Sequence, residues 1–268
     1  NSGSNVLDGG TGADTLIGGQ GNDTYIVNNA NTVIEEDANS GIDTVISGIS
    51  YTLGDNLENL TLSGSANLTG TGNSANNDIT GNSGNNTLTG GTGRDTLRGG
   101  LGNDTYTLLA DDAVDTIIEL LNEGIDTVES YGNYALTDHV ENLTLLGSGN
   151  INGAGNNLAN ILLGNDGNNV LQGGAGNDTL IGGAGNDVYV FGRGFDQDLV
   201  DNTNAASGDD SLLFNQGISA EHLWLERNNN NLVISIVNQT QRSVSNNDGS
   251  TTTQVTLNQT NDQVTIKE

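Results

Sequence analysis

The residues with the clearest chemistry are six aspartates fixed at one place of a nine-residue unit. Asp14, Asp23, Asp95, Asp104, Asp178 and Asp187 each stand sixth in a unit that opens with Gly-Gly and has a third glycine at its fourth place. The units come in tandem pairs, and the best-kept pair, residues 173–190, reads Gly-Gly-Ala-Gly-Asn-Asp-Thr-Leu-Ile and then Gly-Gly-Ala-Gly-Asn-Asp-Val-Tyr-Val. Carboxylates repeated among glycine-rich turns offer hard oxygen donors for a cation, with no nucleophile or base beside them. The chain has no Gly-x-Ser-x-Gly elbow, phosphate-binding loop or His-Glu-x-x-His helix. It also lacks cysteine, so disulfides and thiolate metal sites are excluded. Its two histidines, His139 and His222, read as structural or surface residues. Nothing here assembles an enzyme site.

Charge points the same way. Six Lys and Arg stand against 34 Asp and Glu, a net charge of −28, in a chain with 40 glycines, no proline and 4% aromatic residues. Such a chain repels itself and resists collapse without a counter-ion. Nucleic acid and anionic membrane would be repelled, no apolar run reaches a membrane span, and cations are the natural ligands.

The six units resemble the calcium-binding repeats of the repeats-in-toxin (RTX) family of secreted bacterial proteins, a Gly-Gly-x-Gly-x-Asp-x-U-x unit in which U is large and apolar. The resemblance implies a right-handed parallel β-roll or β-helix solenoid in which two units complete one coil and several calcium ions sit between stacked turns. Calcium takes six to eight oxygens, which aspartates and turn carbonyls supply together. On that pattern the ligands are Asp14, Asp23, Asp95, Asp104, Asp178 and Asp187, with turns opened by Gly9, Gly18, Gly90, Gly99, Gly173 and Gly182. Turns eighteen residues apart would stack Asn5 on Asp23, Asn77 on Asp95, Asn86 on Asp104, Asn160 on Asp178 and Asn169 on Asp187. Asparagine at the sixth place keeps one oxygen but loses a charge, so those sites are expected to be weaker or only partly completed. Asp196, nine residues after Asp187, and Asp198, eleven after, compete for the next place, and Asp198 is favoured because Asp115 behaves identically.

These residues need elements to hold them. Places one to six are turn formers, and places seven to nine form a short strand whose eighth residue (Leu16, Tyr25, Leu97, Tyr106, Leu180, Tyr189) points inward. Between the blocks near 1–27, 72–107 and 155–198, apolar runs such as Val33-Ile34 and Tyr51-Thr-Leu53 read as further strands. The distance from Asp95 to Asp178, from Tyr51 to Tyr134 and from Glu58 to Glu141 is 83 residues each time, so the connecting segments belong to a superrepeat. Their aspartates, Asp43, Asp115, Asp126 and Asp210, read as turn residues rather than ligands. Rungs are expected to about Leu213. The all-β chain is thus divided into a solenoid, 1–214, and a β-rich cap, 215–268, in which Trp224 is expected in the core.

The expected function is a non-catalytic calcium-binding module that folds on extracellular calcium. The resemblance adds export by type I secretion machinery through a parent protein, whose stability the module would assist, and a secreted or cell-surface location. The chain reads as a fragment of that parent and as a monomer. The alternatives are an adhesin-type solenoid facing carbohydrate or ice, or an accessory module of a secreted hydrolase or epimerase. The third place of the unit, Thr11, Gln20, Thr92, Leu101, Ala175 and Ala184, varies too much for a flat template surface.

Overall fold

A computed structural model describes residues 1–110, 114–201, 208–229, 231–245 and 251–267, with backbone alone for 238–245 and 251–260. The described chain is all-β apart from one short 3-10 turn, Ala220–His222. Among the described residues no helix is long and apolar enough to cross a membrane. Two compact units are present, Asn1–Leu146 and Gly147–Glu268, and each is built of stacked parallel strands.

In the first unit one ladder runs through Val6–Asp8, Thr24–Val27, Thr44–Ser47, Asn59–Leu62, Asp78–Thr80, Thr96–Arg98 and Thr116–Ile117. A second runs through Tyr51–Thr52, Thr69–Thr71, Thr87–Thr89, Thr105–Leu108, Thr127–Ser130 and Asn142–Leu145, and Thr15–Leu16 pairs with Val33–Ile34. Successive strands alternate between ladders, so the chain winds as a solenoid. In the repeats the register step is eighteen residues, with Leu7 beside Tyr25, Ile79 beside Leu97 and Leu88 beside Tyr106. Eighth-place side chains fill the interior: Leu88, Leu97 and Tyr106 are 0% exposed, whereas ninth-place Ile17 is 60% exposed. One large apolar residue per nine makes a thin core. Backbone ladders must carry much of the remaining order.

The second unit repeats the plan. Gly153–Ala154, Val170–Gln172, Val188–Phe191 and Ser211–Phe214 form one ladder, and Tyr189 lies beside Leu212, so rungs continue to the expected end. Ile161–Leu163, Thr179–Ile181 and Gln197–Asp201 form the other. The carboxy-terminal segment is an antiparallel meander of Leu223–Asn228, Asn231–Ser245 and Thr251–Lys267, whose last strand joins Gln197–Asp201 in parallel. Ile234, Ile236, Val237 and Val264 are buried, and Phe191 packs on Phe214 with ring centroids 6.3 Å apart. Trp224 corrects the sequence expectation. It is 49% exposed because Leu223–Asn228 is an edge strand, with Leu225 at 60% beside it. His222 closes the short 3-10 turn, where its Nδ1 accepts the Ser219 N–H at 3.1 Å.

Candidate metal sites

Five of the six nonapeptide turns, all but that of Asp14, place the aspartate against the turn eighteen residues earlier. The Asp Oδ1 accepts the backbone N–H of the stacked residue: Asn5 to Asp23 at 2.6 Å, Asn77 to Asp95 at 2.7 Å, Asn86 to Asp104 at 2.6 Å, Asn160 to Asp178 at 2.8 Å and Asn169 to Asp187 at 2.8 Å. These are the eighteen-residue pairs of the repeat pattern. The ladder then continues into the connecting segments. Asp23 donates its N–H to Asp43, Asp95 to Asp115, Asp104 to Asp126, Asp178 to Asp198 and Asp187 to Asp210. Asp43 and Asp126 in turn donate to Glu58 and Glu141.

Asp43, Asp115, Asp126 and Asp210 therefore hold the same position as the repeat aspartates, which local sequence did not reveal. The glycine pattern around them has lapsed and the register step has stretched from eighteen to twenty, twenty-two or twenty-three residues. The superrepeat offset, 83 residues and 84 at Asp210, was the usable signal. At the end of the third block Asp198 takes the stacked place and is buried. Asp196 lies half-buried in a left-handed turn, φ 61°, and accepts the Gly176 N–H at 3.3 Å.

The glycines do two different jobs. First-place glycine leaves room for the carboxylate: a Cβ on Gly18, Gly90, Gly99, Gly173 or Gly182 would lie 2.1–2.2 Å from Oδ2 of its own aspartate, and one on Gly9 3.1 Å from Asp14 Oδ2. Second- and fourth-place glycines such as Gly100 and Gly102, φ 89° and 126°, turn the backbone through the left-handed region.

The second carboxylate oxygen decides what the turns can bind. Oδ2 of Asp14, Asp23, Asp104, Asp178 and Asp187 is buried and meets no hydrogen-bond donor. A buried anionic oxygen without a donor or cation is costly. Burial accordingly pushes Asp178 up to about 6, Asp104 up to about 7 and Asp198 up to about 8, and raises Asp187 and Asp43. The asparagine turns carry no such debt. Asn77 Oδ1 accepts the Asn73 N–H at 2.8 Å while its Nδ2 donates to Leu57 O and Glu58 O. Asn169 Oδ1 accepts the Asn165 N–H at 2.9 Å while its Nδ2 donates to Ile151 O. An amide hydrogen thus stands where the aspartate turns need a cation. An all-oxygen, anionic, water-poor donor set matches calcium's preference for carboxylates and carbonyls.

The sequence model of the RTX calcium-binding nonapeptide repeat (4 copies) matches residues 1–34, 71–106 and 163–198. No curated protein matches the chain. The matched residues include all six aspartates and the orphaned oxygens just described. The turns that hold them are RTX calcium-binding nonapeptide repeats, and the chain, β-solenoid in each of its units, carries that family's repeat.

Proposed function

We propose that the chain is a non-catalytic calcium-responsive module of a secreted protein, with ions held between stacked turns by Asp14, Asp23, Asp95, Asp104, Asp178, Asp187 and Asp198. The carbonyls of the glycine turns complete these shells, and the asparagine turns hold no ion of their own. One observation carries the reading: several repeat carboxylates keep a buried oxygen that no donor satisfies. A net charge of −28 makes the ion-free chain self-repelling, which suits passage in an extended state through type I secretion machinery, with folding in calcium outside. Residues 215–268 act as the cap that ends the solenoid 1–214.

Calcium binding on this view supplies folding free energy. Far-UV circular dichroism in chelator should show a largely disordered chain, and millimolar calcium should restore β-structure cooperatively, with compaction in X-ray scattering. Substantial β-structure in chelator, or a non-cooperative titration, would overturn the proposal.

A further inference from the structure

Two carboxylate clusters lie beyond the nonapeptide pattern. Asp104, Glu119 and Asp126 each bring an oxygen to within 4.8 Å of the others, and so do Asp23, Glu36 and Asp43. The glutamates come from connecting segments, 83 residues apart. Register explains their placement. Leu97 pairs with Ile117 and Leu16 with Ile34, so Glu119 stacks over first-place Gly99 and Glu36 over first-place Gly18. Where the repeat has no side chain, each glutamate projects onto the aspartate below.

A tyrosine fixes each glutamate. Tyr106 Oη accepts the Gly99 N–H at 2.6 Å and donates to Glu119 Oε1; Tyr25 Oη accepts the Gly18 N–H at 2.9 Å and donates to Glu36 Oε1. This leaves the other oxygens. Glu119 Oε2, Asp104 Oδ2 and Asp126 Oδ2 meet no donor, on residues only 5%, 1% and 1% exposed, and Glu36 Oε2, Asp23 Oδ2 and Asp43 Oδ2 repeat the arrangement with Glu36 half-buried. The charges that face Glu119 are Asp126, Asp104 and Glu123, all negative. The ion pairs Arg98–Asp78 and Lys267–Asp201 involve none of these residues. Three carboxylates with three buried, unsatisfied oxygens, formed twice by the same register, need a positive charge at their centre.

We propose that Asp104–Glu119–Asp126 and Asp23–Glu36–Asp43 are three-carboxylate calcium sites, in which a glutamate from the connecting segment joins the repeat aspartate and supplies a ligand where the repeat has glycine. The first cluster is buried throughout, so its ion is enclosed as the strands stack. The second borders an open groove that holds Glu36 together with Glu35, Asp37 and Asp55, an acidic approach for the ion. Three carboxylates exceed the charge of one calcium, so a trivalent lanthanide should bind these sites more tightly than calcium does. The same step of 83 from Glu119 reaches Asn202 in the sequence, so the third block lacks the glutamate.

The assignment rests on calcium folding the nonapeptide blocks, and the test separates the two. Ions bound by the full-length chain are counted by equilibrium dialysis at saturating calcium, for the wild type, Glu36→Gln, Glu119→Gln and the double variant. Each single variant should bind one ion fewer and the double variant two fewer, with circular dichroism in calcium unchanged. With terbium as probe, tyrosine-sensitised luminescence should fall in the double variant and persist in part from the Tyr189 block. Equal counts in the wild type and double variant would overturn the proposal, whereas no calcium uptake by the wild type would overturn the nonapeptide reading itself. Should the glutamine variants fail to fold, Glu36→Gly and Glu119→Gly restore the residue found at the stacked place and carry the same expected counts. Infrared spectroscopy of the wild type gives a further check: loss of the protonated-carboxyl band at saturating calcium supports the sites. Persistence of that band at neutral pH means a shared proton fills the clusters and overturns them, because burial, together with the negative charges of Asp126, Asp104 and Glu123, pushes Glu119 up to about 8 when no ion is bound.

Discussion

At the scale of one residue, the sixth place of the unit is a choice between two ways of neutralising the same interior point. Aspartate gives one oxygen to the stacked N–H and leaves the other for a cation. Asparagine uses an amide hydrogen to satisfy neighbouring carbonyls and needs none. The chain already performs this exchange, since Asn160 and Asn169 precede Asp178 and Asp187 at the eighteen-residue step. Asp178→Asn should therefore keep the rung but reduce by about one the number of ions taken up on folding, and it should raise residual β-structure in chelator, because an unsatisfied buried charge worth roughly 1–3 kcal/mol is removed. Asp178→Ala removes the oxygen that receives the Asn160 N–H and should weaken the fold both with and without calcium. Dialysis and circular dichroism of both variants would settle it; identical behaviour of the two would refute the amide-for-cation account.

At the scale of elements, the sequence was most legible where period and side-chain direction coincide. The step of eighteen, the inward eighth place and the stacked Asn–Asp pairs follow from a fixed repeat, because a parallel ladder carries each residue onto its counterpart one coil away. The connecting segments were legible as strands but not as ligand carriers, since their register is set by partners rather than by their own pattern. Glu36 and Glu119 acquire meaning only once Ile34 and Ile117 are seen beside Leu16 and Leu97. Trp224 illustrates the opposite error, for an apolar side chain on an edge strand has a free face to occupy. The terminal meander nevertheless covers something: Gln197–Asp201 is paired by the last strand, and Phe191 and Phe214 share a small cavity with Ile234, Ile236 and Val264. Deleting residues 215–268 would leave that strand as a bare parallel edge above an apolar end, a template for association. The truncated chain in calcium should show soluble oligomers or precipitate by light scattering and a lower melting temperature. A monodisperse truncation with unchanged melting would deny the meander its capping role.

At the scale of the whole molecule, protons and calcium compete for the same oxygens, which fixes the sign of the pH response. Burial pushes Asp198 and Glu119 up to about 8, Asp104 up to about 7, and Asp126 and Asp178 up to about 6, whereas unfolded carboxyls titrate near 4. Groups whose folded pKa is raised contribute stability that is complete below about pH 4 and is lost as pH climbs through about 6 to 8. Without calcium the fold should therefore be favoured by acid, and a chelated sample should gain β-structure between about pH 8 and pH 5, protons neutralising the interior that calcium neutralises at neutral pH. With calcium the direction reverses, because each ion must displace whatever protons these carboxyls hold. The calcium midpoint for folding should rise as pH falls from about 8 to about 6, by up to about tenfold per pH unit for each proton displaced. Calcium titrations followed by circular dichroism across that range would measure both effects. A midpoint independent of pH would mean that the raised carboxyls are not the groups that hold the ions.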